Sequence, residues 1–319
     1  MTTASAPSKI ILLGEHSALY GKPVLTMALG LRSYSRAEKR SGGDIMVNAP
    51  DFGIKGRRID MKAVQEPALS LVARSLEIAS RGSGLPGLEV TIRSDVPIAS
   101  GMGSSASISA SLIAATSSEL GIALGRQELA EATREAENVI HTRSSGVDPF
   151  AVVFGGICLY QNAKVRRVEV PKPPELVIAH TGIESNTGGI VASVDELRSR
   201  EPDSFESFLD SVEELVLDGA RAMEAGDWQL LGSMMDRNHE LLSSIGVSSP
   251  ELDKLVDAAR DAGALGAKLC GAGRGGIMIS LADSRTREAV ETALLGLDAK
   301  IIKASMDEGG TRIEDETEI

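Results

Sequence analysis

Asp95-Val-Pro97-Ile-Ala-Ser-Gly101-Met102-Gly103-Ser104-Ser105-Ala106 is the stretch on which the fold turns. It leads into residues 105–120, rich in Ala, Ile and Leu, which read as a helix stopped at Gly121. Gly101 and Gly103 let the backbone approach a ligand closely, and Ser104 and Ser105 fall at the helix N-terminus. Free N–H groups and the positive end of the helix macrodipole favour a phosphate there. A Ser hydroxyl can complete the oxygen shell of a Mg²⁺ carried by that phosphate. An ordinary capped helix after a tight turn is the competing reading. The Gly-x-Gly-x-x-Ala spacing also fits the dinucleotide fingerprint. That motif needs a buried strand before it, however, and Asp-Val-Pro-Ile-Ala-Ser stands in its place. Nor does the cluster end in the Gly-Lys-Ser/Thr of a P-loop NTPase.

Two more glycine clusters lie outward from it, one over residues 14–21 and one at Gly271-Ala272-Gly273-Arg274-Gly275-Gly276. Residues 9–13 form an apolar strand running into the first. A strand over 266–270 enters the last, and a second strand over 277–281 leaves it, where a dinucleotide fold would have a helix. Residues 88–93 alternate as a half-buried strand does. Leu129, Ala132, Thr133, Ala136 and Ile140 share one face of a helix over 127–141. The apolar run 151–160 reads as a strand. Pro171-Lys-Pro-Pro174 is the best boundary signal, followed by a short strand over 176–179. A helix opens at Asp203, with Glu206 at capping-box spacing and a buried stripe from Phe205 to Val216. Another has Ser249 as cap, Pro250 at its first position and Gly263 beyond its end. The acidic tail from Glu314 reads as frayed. The expectation is two α+β domains, 1–170 and 171–319.

Composition removes several functions. Of 319 residues 42% are hydrophobic, enough for a real core, but only 3% are aromatic, too few for base-stacking platforms. A net charge of −12 opposes nucleic acid. No stretch approaches the roughly 20 apolar residues of a membrane span. Cys158 and Cys270 have no metal-ligand spacing and read as buried free thiols. A soluble cytoplasmic protein is expected, with no nucleic-acid or membrane partner; a homodimer stays open.

Four segments together resemble the GHMP family of small-molecule kinases. They are Pro7-Ser8-Lys9-Ile-Ile-Leu-Leu-Gly14-Glu15-His16 with its continuation to Tyr20-Gly21-Lys22-Pro23, the 95–106 segment, Glu137 to Asp148, and Lys268 to Gly276. They frame residues 7–276 in the family's order. The resemblance implies an N-terminal domain like domain 2 of ribosomal protein S5, a ferredoxin-like C-terminal domain and an active site between them. The Gly-Glu-His and Tyr-Gly-Lys-Pro pair resembles the members that use ATP and Mg²⁺ to phosphorylate the 5-hydroxyl of mevalonate in isoprenoid synthesis. Alternatives are a sister kinase for phosphomevalonate, a sugar or mevalonate's 3-hydroxyl, or a catalytically silent ligand-binding relative. Ser8, Thr142 and Arg274 stand where the family commonly has Gly. A φ above zero at any of them would mean strain.

Carried over residue by residue, the resemblance implies that Asp148 takes the proton of the attacking hydroxyl. Lys9 would hold that carboxylate ionised and stabilise the transferring phosphoryl group. Ser105 and Glu137 would bind Mg²⁺. Pro97, Gly101, Met102, Gly103, Ser104, Ser105 and Ala106 would cradle the nucleotide phosphates, and Gly271, Ala272 and Gly273 would close on them. Glu15, His16 and Thr187 would contact the acceptor. Plainer readings stand beside these: Asp148 as a turn residue before Pro149, Glu137 as a surface partner of His141, His16 as a core histidine. Lys9 is harder to explain away, because an ammonium entering an apolar strand needs a partner.

Overall fold

The computed structural model describes residues 1–61, 63, 66–97, 100–139 and 145–315. Two long strands open the chain, β1 (Thr2–Leu13) and β2 (Val24–Lys39), joined through a 3-10 turn over Ser17–Tyr20. β3 (Ile45–Ala49), β4 (Ile54–Ile59), α1 (Pro67–Ala79) and β5 (Leu88–Ser94) follow. Next come α2 (Ser104–Glu119), α3 (Arg126–Glu137), α4 (Val147–Phe154), β6 (Ile157–Gln161) and β7 (Lys164–Arg167). After the proline segment the chain forms β8 (Leu176–His180), α5 (Thr187–Arg200), α6 (Pro202–Ala225), α7 (Trp228–Ser244) and α8 (Pro250–Asp261). It closes with β9 (Gly266–Cys270), β10 (Ile277–Leu281), α9 (Arg287–Leu295), β11 (Lys300–Ile302) and β12 (Arg312–Glu314).

Two sheets result, and the architecture is α+β. The first runs β12-β1-β2-β5-β3-β4, with β6 pairing with both β2 and β7; the second runs β11-β8-β10-β9 and is antiparallel throughout. β2 is long because its two ends serve different neighbours: 24–27 pair with β6 and 33–39 with β5, while β1 lies along its other edge. Between Pro7 and Ser8 the β1–β2 register slips, with Pro7 opposite Arg32 but Ser8 opposite Leu29. Proline cannot donate to the ladder, and a bulge at that point re-aims the strand that carries Lys9. The bulged Gly30 N–H bonds to Ser305 in the C-terminal tail instead.

α2 is buried on nearly every side from Ala106 to Ser117, packed on β1 and β2 and flanked by α1 and α3. Its small residues permit that depth; some of its hydroxyls bond locally or across the packing, as where Ser107 donates to the Ala6 carbonyl at 2.7 Å, while those of Ser109 and Thr116 are buried with no partner among the described residues. The core is aliphatic and contains the alanines expected from composition.

Several sequence-based expectations change. The run 151–160 is not one strand: its first part completes α4 and only β6 is extended, with Gly155 (φ +70°) and Gly156 (φ +62°) making the break. A Cβ on Gly155 would lie 2.3 Å from the Gly310 nitrogen, so the tail demands glycine there. α6 starts at Pro202 with Glu201 as an N-cap making no side-chain cap bond, so Asp203 lies in the first turn and no capping box forms. Ser249 does cap α8, accepting from the Leu252 N–H. Glu314 is not frayed: β12 pairs antiparallel with β1, and the Glu314 carboxylate accepts a bond from Ser5. α3 ends at Glu137, and Ile140, His141 and Thr142 lie outside the described residues. No helix among the described residues is long and apolar enough to cross a membrane.

Candidate active site

β1 delivers Lys9 to the bottom of a cleft. Its ammonium is buried, lies 3.0 Å from Asp148 Oδ1 and donates to the Gly101 carbonyl at 2.9 Å. Its backbone N–H donates to the Met102 carbonyl, so strand and glycine loop are tied together twice. Burial, the largest single influence, would lower the Lys9 pKa, but Asp148, Cys270 and Glu15 together outweigh it, and the ammonium is held above its ordinary value. Asp148 occupies the first turn of α4, which begins after Gly146 in the left-handed region (φ +84°). A Cβ on Gly103 would sit 3.1 Å from Lys9 Cγ and 3.5 Å from Asp148 Oδ2. The bare backbone of Gly103 is what lets the loop lie against this pair.

Gly103 is the N-cap of α2 and no side chain caps that helix. The Ser105 hydroxyl instead donates to Glu137 Oε1 at 2.7 Å. The capped-helix reading therefore fails at Ser105, and the Glu137 carboxylate is buried beside the first turn of α2 rather than displayed on a surface. A hydroxyl and a carboxylate at an uncapped helix N-terminus are hard oxygen donors of the kind Mg²⁺ prefers.

The cavity above Lys9 measures about 180 Å³. Lys9, Asp148, Glu137, Glu15, His16 and Thr187 all line it, with Gly101, Gly271 and Ala272. Ile11, Leu19, Val24, Val147 and Val191 supply an apolar wall. Four sequence segments and α5 thus converge on one cleft. His16 takes φ +65°, and its Nε2–H faces the Ala272 carbonyl at 2.9 Å; burial lowers its pKa, which favours the neutral ring and leaves Nδ1 as an acceptor. Thr187 opens α5, whose cap is the Asn186 side chain accepting from Gly189 N–H. Tyr20 donates to Asp195 at 2.8 Å and packs edge-on against Phe205, fastening the 3-10 turn to α5 and α6.

Other predicted residues contribute differently. Met102 and Ala106 are buried, so they offer backbone and not side chain to the cleft. The Pro97 carbonyl accepts from Ser100, shaping the turn before Gly101, and Ser104 opens α2. Gly101 and Gly271 face each other across the cleft, a Cβ on Gly101 lying 4.0 Å from Gly271 Cα. Gly273 is required for another reason: its Cβ would lie 2.0 Å from the Val247 carbonyl oxygen. Ser8 does not take a positive φ and is buried without that strain, whereas Arg274 does (φ +49°) and donates through Nε to the Gly246 carbonyl.

Sequence reading missed Lys268 and Asn238. Lys268 on β9 is buried and its ammonium pairs with Glu15 Oε1. Asn238 on α7 is also buried and accepts from the Gly14 N–H at 3.1 Å. The signal that singled out Lys9, an ammonium inside an apolar strand, is equally present at Lys268.

Residues 68–156 match the GHMP kinases N terminal domain and residues 220–296 the GHMP kinases C terminal domain. The chain belongs to the GHMP kinase family, and its fold is that of these small-molecule kinases. Among individual relatives it is 36% identical to the mevalonate kinase of Pyrococcus horikoshii, over 98% of this chain and 97% of that protein. It is 35% identical to that of Pyrococcus abyssi, over 99% and 98%. The crystal structure of Methanococcus jannaschii mevalonate kinase superposes with a TM-score of 0.82 at 25% identity, covering 95% of this chain and 98% of that one. That of L. major mevalonate kinase in complex with R-mevalonate gives 0.80 at 26%, covering 97% of each.

Proposed function

We propose that this protein is an ATP-dependent kinase that transfers the γ-phosphate to the 5-hydroxyl of mevalonate in isoprenoid synthesis. The observation that carries the reading is the Lys9–Asp148 pair, set at the bottom of a cleft lined by the glycine loops and by Glu15, His16 and Thr187. The near-full-length likeness to mevalonate kinases supports the choice of acceptor.

Phosphoryl transfer leaves the protein little covalent work, so positioning and charge dominate. The acceptor's carbon chain lies against the apolar wall, and its primary hydroxyl donates to Asp148. As the hydroxyl oxygen attacks the γ-phosphorus, the bond from that phosphorus to the β,γ-bridging oxygen breaks, ADP leaves, and the hydroxyl proton passes to Asp148. Lys9 is already fixed by Asp148 and Gly101, so it stabilises developing negative charge without reorganising. The uncapped N–H groups at the start of α2 receive the phosphates, with Gly271 and Ala272 on the opposite side. Ser105 and Glu137 fit Mg²⁺ by donor chemistry and would hold it. When bound, the ion supplies charge neutralisation on the nucleotide phosphates.

On this reading the chain divides near residue 170 into two units around the cleft, the last residues returning to the first sheet. A cytoplasmic enzyme is consistent with its two buried free cysteines. The test is a coupled kinase assay over mevalonate, phosphomevalonate, galactose and homoserine, with phosphorus NMR of the product. Mevalonate is expected to have the highest kcat/KM, with phosphate on the primary oxygen. Turnover on galactose or homoserine without mevalonate would overturn the assignment.

A further inference from the structure

Two walls of the cavity come from separate parts of the chain. Ala18 and Leu19 belong to the 3-10 turn between β1 and β2, and Thr187 and Val191 belong to α5. The turn is held firmly from behind. The Lys22 ammonium donates to Asp210 at 2.8 Å and to Glu213 at 2.7 Å, both on α6, and Gln161 on β6 donates to the Gly21 carbonyl at 3.0 Å. α5 has less to hold it. Of its 14 residues only Ile190 and Val194 are buried. Helices in proteins are stabilised mainly by packing of an apolar face, so one that buries this little is weakly fixed in place.

A tie from the cleft side supplies what packing does not. Thr187, Val191, Asp195 and Arg198 fall within about 80° of arc at 3.6 residues per turn, so the face of α5 that lines the cavity continues into the face that carries Asp195 and Arg198. That continuation grips Tyr20, the residue after Leu19. The Tyr20 hydroxyl donates to Asp195 Oδ1 at 2.8 Å, and the Arg198 guanidinium lies over the ring, 5.0 Å from its centroid. Phe205 of α6 meets the same ring edge-on, with centroids 5.0 Å apart and planes at 77°. Tyr20 thus uses its polar tip and its ring together. We propose that Tyr20 is a positioning residue for the acceptor: it fastens the α5 wall to the turn wall and so fixes the width of the cleft between them. The proposal rests on the mevalonate reading for the identity of that acceptor. The described residues lining the cavity include Thr187 and Val191 but neither Tyr20 nor Asp195, so the tie acts on the acceptor through α5.

The test measures kcat, both KM values and Tm for wild type, Tyr20→Phe, Asp195→Ala, Asp195→Asn and the double variant Tyr20→Phe/Asp195→Ala. Tyr20→Phe keeps the ring between Arg198 and Phe205 and removes only the hydroxyl. It and Asp195→Ala are each expected to raise the mevalonate KM about 2- to 10-fold, the range for one net hydrogen bond, because apparent affinity falls with the fraction of molecules whose wall is in place. ATP KM and kcat should change little, since Lys9, Asp148 and the loop before α2 are tied to one another. The double variant should match the worse single variant, because both remove the same bond. Asp195→Asn keeps an oxygen that can accept from Tyr20 and should hold the wild-type KM, which a role for the charge alone would not allow. An unchanged mevalonate KM in both single variants, whether or not Tm falls, overturns the proposal. So does an equal rise in ATP KM, or a double variant whose effect is the product of the two singles. Should Tyr20→Phe fail to fold, Asp195→Ala, at an exposed side chain, decides. Failure of the functional reading is seen separately, as absence of mevalonate turnover by wild type, and the same comparison is then made on the KM of whichever acceptor wild type does use.

Discussion

Lys9 and Asp148 meet at 3.0 Å with unequal exposure, 3% for the ammonium and 32% for the carboxylate. The cation is sealed beneath the glycine loop while the carboxylate keeps a face toward the cleft. That inequality separates their tasks. Asp148 can receive a proton from a bound hydroxyl, whereas Lys9 acts as fixed charge and as a tie to Gly101.

Asp148→Asn is therefore expected to lower kcat by about 10²–10⁴, the range for a positioned general base, with ATP affinity little changed. It also leaves a buried ammonium with only the Gly101 carbonyl, so Tm should fall. In Lys9→Met/Asp148→Asn both charges are gone, and Tm should recover while turnover does not. Recovery of both together would make the pair structural.

Gly103 and Gly101 offer an internal comparison. Both take φ near +75° to +80°, at +74° and +78°, but only a Cβ on Gly103 approaches Lys9, at 3.1 Å, while one on Gly101 meets nothing nearer than 3.9 Å. Each Ala substitution carries the backbone cost of the left-handed region, about 1–2 kcal/mol. Gly103→Ala should in addition displace Lys9 and reduce kcat well beyond Gly101→Ala at similar loss of Tm. Equal kcat values in the two variants would sink the close-approach argument.

Ser105 spends its hydroxyl on Glu137 at 2.7 Å and caps nothing. Ser105→Ala takes a hydrogen-bond donor from the buried Glu137 carboxylate and should destabilise the fold by about 1–3 kcal/mol. The Mg²⁺ concentration giving half-maximal rate should rise. Full activity across a Mg²⁺ titration would remove Ser105 from the metal site.

Acid sensitivity follows from the histidines. His239 Nδ1 accepts from the Leu269 N–H and its Nε2 faces Asp253, so the neutral ring is the one that fits, and burial lowers its pKa; His16 and His180 are lowered for the same first reason. A folded pKa below the unfolded one contributes stability that is present above about pH 6.5 and is lost as pH falls through the folded value. Tm should decline on acidification below that point, and His239→Gln should flatten the decline in a pH series of melts. Glu15 contributes with the opposite sign, because its folded pKa is raised and its share of stability is lost as pH rises through that value. An unchanged slope in His239→Gln would acquit His239.

Much of this protein is written in short-range signals. Ser249, Pro250 and Gly263 bracket α8 because a cap, a preset φ and a left-handed stop act within a few residues. The paired glycines before α2 and the serines that open it announce an anion site for the same local reason, and Lys9 betrays itself by entering an apolar strand. Other features depend on partners far along the chain. Residues 151–160 become helix and then strand because Gly155 must pass Gly310, which no periodicity in the run records. β12 exists because β1 leaves an edge for it, more than 300 positions earlier in sequence, as in the pairing of Ser5 with Arg312. Glu15 and Lys268, 253 positions apart, carry no mutual signal in sequence. Only when burial strips water from both does each require the other, since a charge in the interior is tolerable only beside its opposite.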